Sequence, residues 1–195
     1  MKIGIMGGTF DPIHNGHMIG AETARESMKL DEVWFLPANV PPHKDKVLGA
    51  TPQQRLEMVK LAIAGHPDFR AEDLEIRKGG ISYTMETAQI LLKQYPRNTF
   101  YWIIGADMIQ FLPQWHEINQ LVQLISFIGL SRPGYSSDLH TLAGPVKDKI
   151  TMVPMPQMDI SASGIRERCR LHKSLRYLIS EQVRHYIEEH HLYES

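Results

Sequence analysis

The sequence predicts an α/β protein in which strands and helices alternate around a parallel sheet. The alternating segment Lys2–Met6 has the pattern of a strand, and it leads through a glycine-rich turn into a helical pattern. Two further segments, Val33–Leu36 and Thr99–Ile104, are apolar almost throughout, as expected of strands buried on both faces. Segments with helix signals separate these strands. We therefore expect an open sheet covered by helices.

Composition narrows the class of protein. The chain has 195 residues, 43% of them hydrophobic, which suits a compact domain with a substantial core. The formal net charge of −1 gives no positive field to attract nucleic acid. The single cysteine, Cys169, excludes an internal disulfide. With neither a signal-peptide core nor a membrane-length apolar run, we expect a cytoplasmic protein that binds neither nucleic acid nor membrane.

The stretch Gly7–His17, with the sequence GGTFDPIHNGH, is where we expect a ligand to bind. It follows the carboxyl end of the first strand, the usual ligand position in an open α/β sheet. Its glycines allow close backbone approach, and the helix that follows points N–H groups toward a phosphate. His14 and His17 are three positions apart, so in a helix they share a face and can donate to one phosphate group.

A second anion site is predicted around Ile160–Arg166, with the sequence ISASGIR. We expect Ser163 to cap a helix and Arg166 to lie in its first turn. The helix dipole disfavours an arginine there, but a bound anion would reverse that preference.

The intervening elements follow from local signals. Thr51, Pro52 and Gln54 predict a capped helix that ends at Gly65. Arg55 lies in its first turns, where a surface position is favoured over a functional one. We expect a strand over Phe69–Arg77 and a helix capped by Ser82 or Thr84. Further strands are predicted at Ser126–Leu130 and Ile150–Val153, a loop at 135–149, and an amphipathic helix at Ser180–Leu192. The histidines at the end of that last helix are expected to be solvated rather than metal ligands.

Several isolated residues are candidates for substrate contacts. Lys44 follows two stiffening prolines, and Arg132 is a further cation near a strand end. Gly105 and Asp107 follow the strand Thr99–Ile104; the carboxylate suits a ribose hydroxyl or a helix cap, and one role does not exclude the other. Trp115 lies among polar residues, which leaves a stacking surface and a core position about equally favoured.

The chain shows no Ser–His–Asp or Cys–His nucleophile and no Walker-type phosphate loop. Distributed cations without a nucleophile favour direct transfer between two bound substrates, which relies on positioning and charge stabilisation. We expect Mg²⁺ to be held mainly by substrate phosphates and water, with no metal ligands from the protein.

These motifs carry a family resemblance. The stretch GGTFDPIHNGH resembles the signature of the nucleotidyltransferase superfamily, and ISASGIR resembles its second signature. Together with PPHK, ISYT, IGAD and RPG, they make the chain similar over nearly its whole length to bacterial nicotinate-nucleotide adenylyltransferases. The chain departs from the family pattern at Ala162, where serine or threonine is common, and at His116, where tyrosine is common.

The resemblance implies a fold: a Rossmann-like, doubly wound parallel sheet with a small C-terminal helical subdomain. Residues 1–195 would form one domain, with a core over 1–158 and the helical part over 159–195. It also implies transfer of the adenylyl group of ATP to nicotinate mononucleotide, giving nicotinate adenine dinucleotide and pyrophosphate in NAD synthesis. Homo-oligomer formation is left open.

The resemblance also implies site residues. The catalytic set is His14, His17, Lys44 and Arg166. The ATP-binding set is Gly7, Gly8, His17, Gly105, Asp107, Arg132, Ser161, Ser163 and Arg166. The set that binds nicotinate mononucleotide is Gly8, Thr9, Phe10, His14, Lys44, Thr84 and Trp115.

Other functions fit the same motifs. The acceptor could be nicotinamide mononucleotide or phosphopantetheine, or the chain could be a cytidylyltransferase. From a different class, it could be a nucleotide sensor without activity, although two histidines with Lys44 and Arg166 argue for catalysis.

Overall fold

The computed structural model describes residues 1–41, 49–131, 142–156 and 158–194, and within them six strands form one parallel sheet. The strands are β1 (Lys2–Gly8), β2 (Glu32–Pro37), β3 (Phe69–Ala71), β4 (Thr99–Gly105), β5 (Ser126–Ser131) and β6 (Ile150–Pro154). Their order is β3-β2-β1-β4-β5-β6, and every neighbouring pair is parallel. This is the order of a doubly wound Rossmann-type sheet, so the predicted fold class is confirmed.

Helices connect the strands and cover both faces. They are α1 (Asn15–Met28), α2 (Pro52–Ile63), α3 (Leu74–Lys78), α4 (Thr84–Gln94), α5 (Ala106–Ile109), α6 (Ile118–Leu124), α7 (Gly144–Lys147), α8 (Ala162–Arg170) and α9 (Glu181–Glu189). A short 3-10 turn spans Leu112–Gln114. Among the described residues, none of the helices has the length and apolarity needed to cross a membrane.

The sheet separates two hydrophobic clusters. In β2, Val33 and Phe35 belong to one cluster, whereas Trp34 and Leu36 belong to the other. Successive side chains of a strand point to opposite faces, which explains this division. The central strands are therefore buried on both sides, as their continuous apolar sequences predict.

The C-terminal segment packs on the first of these faces. Val183 and Ile187 of α9 are buried in the same cluster as Val59 of α2 and Val33 of β2. The C-terminal helices thus complete the core of the sheet. The boundary between residues 158 and 159 stays a prediction.

The predicted strand Phe69–Arg77 is wrong in its second half. β3 ends at Ala71, and α3 begins at Leu74. The guanidinium of Arg77 binds the Asp73 carboxylate at 2.6 Å across one helical turn, a pair that helical but not extended spacing allows.

Predictions of helix caps had mixed outcomes. Thr51 and Gln54 form the predicted capping box of α2. At α4 the cap position is Tyr83, without a side-chain cap, and neither Ser82 nor Thr84 occupies it. The Ser82 hydroxyl instead accepts the N–H of Asn39 at 3.0 Å. The predicted loop at 135–149 contains α7, and residues 135–141 lie outside the described part.

Candidate active site

The site begins where β1 ends. β1 lies between β2 and β4, the point at which the order of the sheet reverses and where ligands bind in such folds. The chain leaves β1 at Gly8 and turns through Phe10, which has φ of +52° and is buried. We call residues 7–17 the phosphate loop.

The two histidines of the phosphate loop are paired, as predicted. Their rings stack with centroids 3.7 Å apart. The backbone N–H of His14 donates to Nδ1 of His17 at 3.2 Å, so a neutral His17 carries its hydrogen on Nε2. His14 is buried and its Nδ1 has no hydrogen-bond partner among the described residues. Burial lowers the pKa of His14 to about 4, which keeps the ring neutral near pH 7.

Asp11 holds the phosphate loop in place. Its carboxylate accepts the N–H groups of Gly49 and Ala50 at 3.0 and 3.1 Å and the Tyr193 hydroxyl at 2.7 Å. Arg166 donates to the carbonyl oxygen of Asp11 at 2.7 Å. Asp11 and Arg166 are 155 residues apart in the sequence, so this hydrogen bond joins the two sequence motifs.

Arg55 is a second support, and its predicted surface position is wrong. The side chain is fully buried. It donates to the carbonyl oxygens of Thr9 at 2.6 Å and Asn39 at 3.0 Å. Arg55 thus joins the phosphate loop to the end of β2, where two carbonyl groups require donors.

In the second motif the cap of α8 is Ser161, which accepts the N–H of Gly164 at 3.1 Å; the prediction of Ser163 was wrong. The Ser163 hydroxyl lies 3.3 Å from that of Ser161. Because the helix starts at Ala162, Arg166 lies in its second turn rather than its first. A Cβ at Gly16 would lie 4.0 Å from Ile160, so this motif starts beside the phosphate loop.

A cavity of about 370 Å³, which we call the acceptor cavity, opens beside the phosphate loop. Its walls come from distant segments of the chain: Gly7, Gly8, Thr9, Ala38, Pro41, Glu75, Ser82, Tyr83, Thr84, Trp102, Met108, Gln114, Trp115 and His116. Trp115 packs on the core, where it meets Phe127 edge to face at 6.0 Å, and it also lines the cavity. Its role as a stacking surface stays a prediction. Its indole Nε1 is buried and has no partner among the described residues.

Gly105 and Asp107 lie at the carboxyl end of β4, next to the phosphate loop in the sheet. Gly105 occupies the cap position of α5, and Asp107 lies exposed in its first turn. A Cβ at Gly105 would lie 2.5 Å from Oδ1 of Asp107, so any other residue there would make this exposed carboxylate move.

The predicted cations Lys44 and Arg132 lie outside the described residues. The structure brings together His14, His17 and Arg166 around the phosphate loop, and Thr84 and Trp115 around the acceptor cavity.

Sequence reasoning assigned no role to Asp11, Arg55, Glu75 or Tyr193. Asp11 lies inside the first motif, which was a usable signal. The other three lie in ordinary helical or terminal sequence, where local pattern carries no sign of their contacts.

The doubly wound sheet, with a histidine pair at its switch point and a cavity beside it, is the arrangement expected of a nucleotidyltransferase. The family model described as cytidylyltransferase-like matches residues 5–168. The chain belongs to this family and, within it, to the nicotinate-nucleotide adenylyltransferases.

Named relatives support this placement. The nicotinate-nucleotide adenylyltransferase of Bacillus subtilis is 42% identical over 100% of this chain and 99% of its own length. A probable nicotinate-nucleotide adenylyltransferase of Oceanobacillus iheyensis is 45% identical over 98% of this chain and 96% of its own. Among solved structures, nicotinic acid mononucleotide adenylyltransferase of Plasmodium falciparum, complexed with NaAD, shares the fold with a TM-score of 0.79. It is 22% identical, covering 99% of this chain and 97% of that one.

Proposed function

We propose that this chain transfers the adenylyl group of ATP to nicotinate mononucleotide, giving nicotinate adenine dinucleotide and pyrophosphate. One observation carries the proposal: Gly7, Gly8 and Thr9 line the acceptor cavity and also begin the phosphate loop. A mononucleotide with its ring in the cavity would extend its phosphate toward the two histidines. That places the nucleophile beside the anion site that would hold ATP.

The phosphate loop would hold the reacting phosphates. His17 would donate from Nε2 to the α-phosphate and stabilise the charge that develops in the transition state. The buried, unpartnered Nδ1 of His14 supports a second polar contact at this position. Arg166 and Lys44 would bind the triphosphate and the departing pyrophosphate.

The acceptor cavity would take the nicotinate ring. Trp115 offers a flat surface and an N–H that no described residue accepts, and Thr84 lies at the start of α4 in the same wall. Backbone groups of Gly8, Thr9 and Phe10 would contact the mononucleotide near its phosphate.

The adenosine side would lie along the carboxyl ends of β4 and β5. Asp107 is exposed at this edge and suits a ribose hydroxyl. The exposed hydroxyl groups of Ser161 and Ser163 suit phosphate oxygens, and Arg132 is proposed as a further phosphate contact.

The reaction would be a direct, in-line attack by the mononucleotide phosphate, which is already anionic near pH 7 and needs no strong base. Within the described residues, no group of three histidine, cysteine or acidic side chains could hold a metal. Mg²⁺ would be bound mainly through ATP phosphates and water. When bound, Mg²⁺ supplies positive charge that offsets the charge of the phosphates.

The test is pyrophosphate release by the purified protein with ATP and Mg²⁺, with each acceptor offered separately. Nicotinate mononucleotide should give the fastest release, ahead of nicotinamide mononucleotide and phosphopantetheine. Faster release with another acceptor would rule out nicotinate mononucleotide as the preferred acceptor but leave adenylyl transfer as the reaction. ATP binding without pyrophosphate release for any acceptor would favour a nucleotide sensor without activity.

A further inference from the structure

An acidic side chain lines the cavity to which the proposed function assigns an anionic ring. Glu75 is the one acid among the described lining residues, and it is only 4% exposed. An ionised carboxylate in this wall would repel the carboxylate of a bound nicotinate ring. The cavity suits an acidic ring when Glu75 is neutral.

The described polar contacts of the Glu75 carboxyl group are with hydroxyl groups and not with cations. The Thr87 hydroxyl donates to Oε1 of Glu75 at 2.7 Å and also lies 3.2 Å from the carbonyl oxygen of Tyr83. Its one hydrogen is therefore shared between two acceptors when Glu75 is ionised. Neutral hydroxyl groups compensate a buried charge less than a paired cation does, so burial here disfavours the ionised form.

Burial has the largest effect on the pKa of Glu75, and it raises that pKa. The charge of Glu86 raises it further, whereas hydrogen bonds from Thr87 and Ser82 and the charge of Lys78 lower it. Lys78 and Glu86 form an ion pair of 2.6 Å with each other, so each largely offsets the other's charge. His116, which also lines the cavity, is half exposed and lies against the Tyr83 ring, with centroids 4.8 Å apart.

Glu75 also fixes the wall that faces the ring. Ser82 hydrogen-bonds Glu75 and accepts the N–H of Asn39, and its own N–H donates to Val40 at 2.9 Å. Thr87 lies three residues after Thr84 in α4, and its hydroxyl reaches both Glu75 and the carbonyl oxygen of Tyr83. The segment Ser82–Thr84 is thus connected to Glu75 through Ser82 and through Thr87.

We propose that Glu75 is a positioning residue that selects the acceptor: as a neutral acid it holds the Ser82–Thr84 wall through Ser82 and Thr87, and leaves the cavity without negative charge, so that an acidic ring is admitted. This inference rests on the proposed function. It predicts that ionising Glu75 at high pH weakens binding of the acid acceptor but not of its amide.

The experiment compares KM for nicotinate and nicotinamide mononucleotide from pH 6.5 to 9.5. The phosphate group titrates in both mononucleotides, so its effect cancels in the ratio of the two KM values. The ratio therefore reports the effect of pH on binding of the ring substituent. In the wild-type protein the ratio of acid to amide KM should rise roughly tenfold across this range, the size expected for a like charge in a partly buried site. In Glu75→Gln, which keeps the shape and cannot ionise, the ratio should stay flat.

Glu72→Gln is the matched control. Glu72 is also buried, but it pairs with Arg70 and Arg77 and does not line the cavity. It should follow the wild-type profile. A flat ratio in the wild type, or the same rise in Glu75→Gln, would overturn the inference.

A second measurement separates this inference from the proposed function. If the wild-type protein used neither acceptor, the proposed function would fail. The NMR signal of the Glu75 carboxyl carbon in the wild-type chain, assigned through the covalent bonds of this side chain, would still report whether Glu75 is protonated. A neutral carboxyl at pH 7 is expected. An ionised one would overturn the inference, whether or not the Glu75→Gln variant folds.

Discussion

The phosphate loop and the acceptor cavity are neighbours built in opposite ways. The loop is one continuous stretch whose Asp11 makes its contacts with other parts of the chain before any ligand arrives. The cavity is assembled from segments that meet only in the fold, and the indole N–H of Trp115 has no partner in the described part of the chain. The difference indicates that the loop is held in position by its own contacts, whereas the shape of the cavity depends on how several segments pack.

The largest effect should come from the loop. His17→Ala removes a donor to the α-phosphate, and we expect kcat to fall roughly a thousandfold, as for loss of one preorganised donor. Thermal unfolding should be little changed, because His17 is only partly buried. The control is His191→Ala, a histidine whose side chain is 79% exposed near the C-terminus. Near-normal turnover in His17→Ala would remove its assigned role.

A substitution in the acceptor cavity should change KM for the acceptor rather than kcat. Trp115→Ala removes the stacking surface, and we expect KM for the acceptor to rise roughly ten- to a hundredfold, since stacking on an aromatic ring contributes about 1–3 kcal/mol. KM for ATP should change by less than about twofold. Trp115→Phe keeps a ring and should recover much of the loss. Equal changes in both KM values would mean that the two regions are not separate.

A pH effect on stability should distinguish the buried histidine of the loop. The pKa of His14 is about 4 in the folded protein, against an ordinary value of 6.5. The contribution of the neutral, buried ring to the free energy of unfolding is therefore complete above pH 6.5 and is lost as the pH falls toward 4. Urea unfolding should show about 2 kcal/mol less stability from this residue at pH 5 than at pH 7.5. His14→Asn should show a pH dependence that is smaller by this amount. An unchanged pH dependence would contradict a buried, neutral His14.

The smallest effect should come from the tether at the C-terminus. Tyr193→Phe removes one hydrogen bond to Asp11, and we expect a loss of about 1 kcal/mol of unfolding free energy. The preference between acid and amide acceptors should not move, because Tyr193 contacts the loop and not the cavity. Tyr177→Phe is the control, since Tyr177 is 88% exposed. A shift in acceptor preference would show that the tether reaches the cavity.

The same contrast explains what the sequence could predict. The sheet and the histidine pair could be predicted from local patterns, because a strand, a glycine turn and a helix start each depend on residues that are adjacent in the sequence. Arg55 could not be placed, since its burial depends on carbonyl groups of Thr9 and Asn39 that meet it only in the fold. The cap of α8 was predicted at Ser163 but lies at Ser161, because the helix begins two residues earlier than predicted.

The acceptor cavity shows the limit most clearly. Trp115 and Thr84 were proposed through resemblance, but Glu75 was placed inside a predicted strand. Its role became visible only when α3 and α4 brought it against Thr87. Non-local contacts of this kind have no local sequence signature.

Two substrates held in the two regions should react directly with each other. This can be tested by the stereochemistry at the α-phosphorus, with ATP made chiral there by sulfur and nicotinate mononucleotide as acceptor. A single in-line displacement predicts inversion of configuration in the dinucleotide. Retention would require two displacements through a covalent enzyme intermediate and would contradict the account.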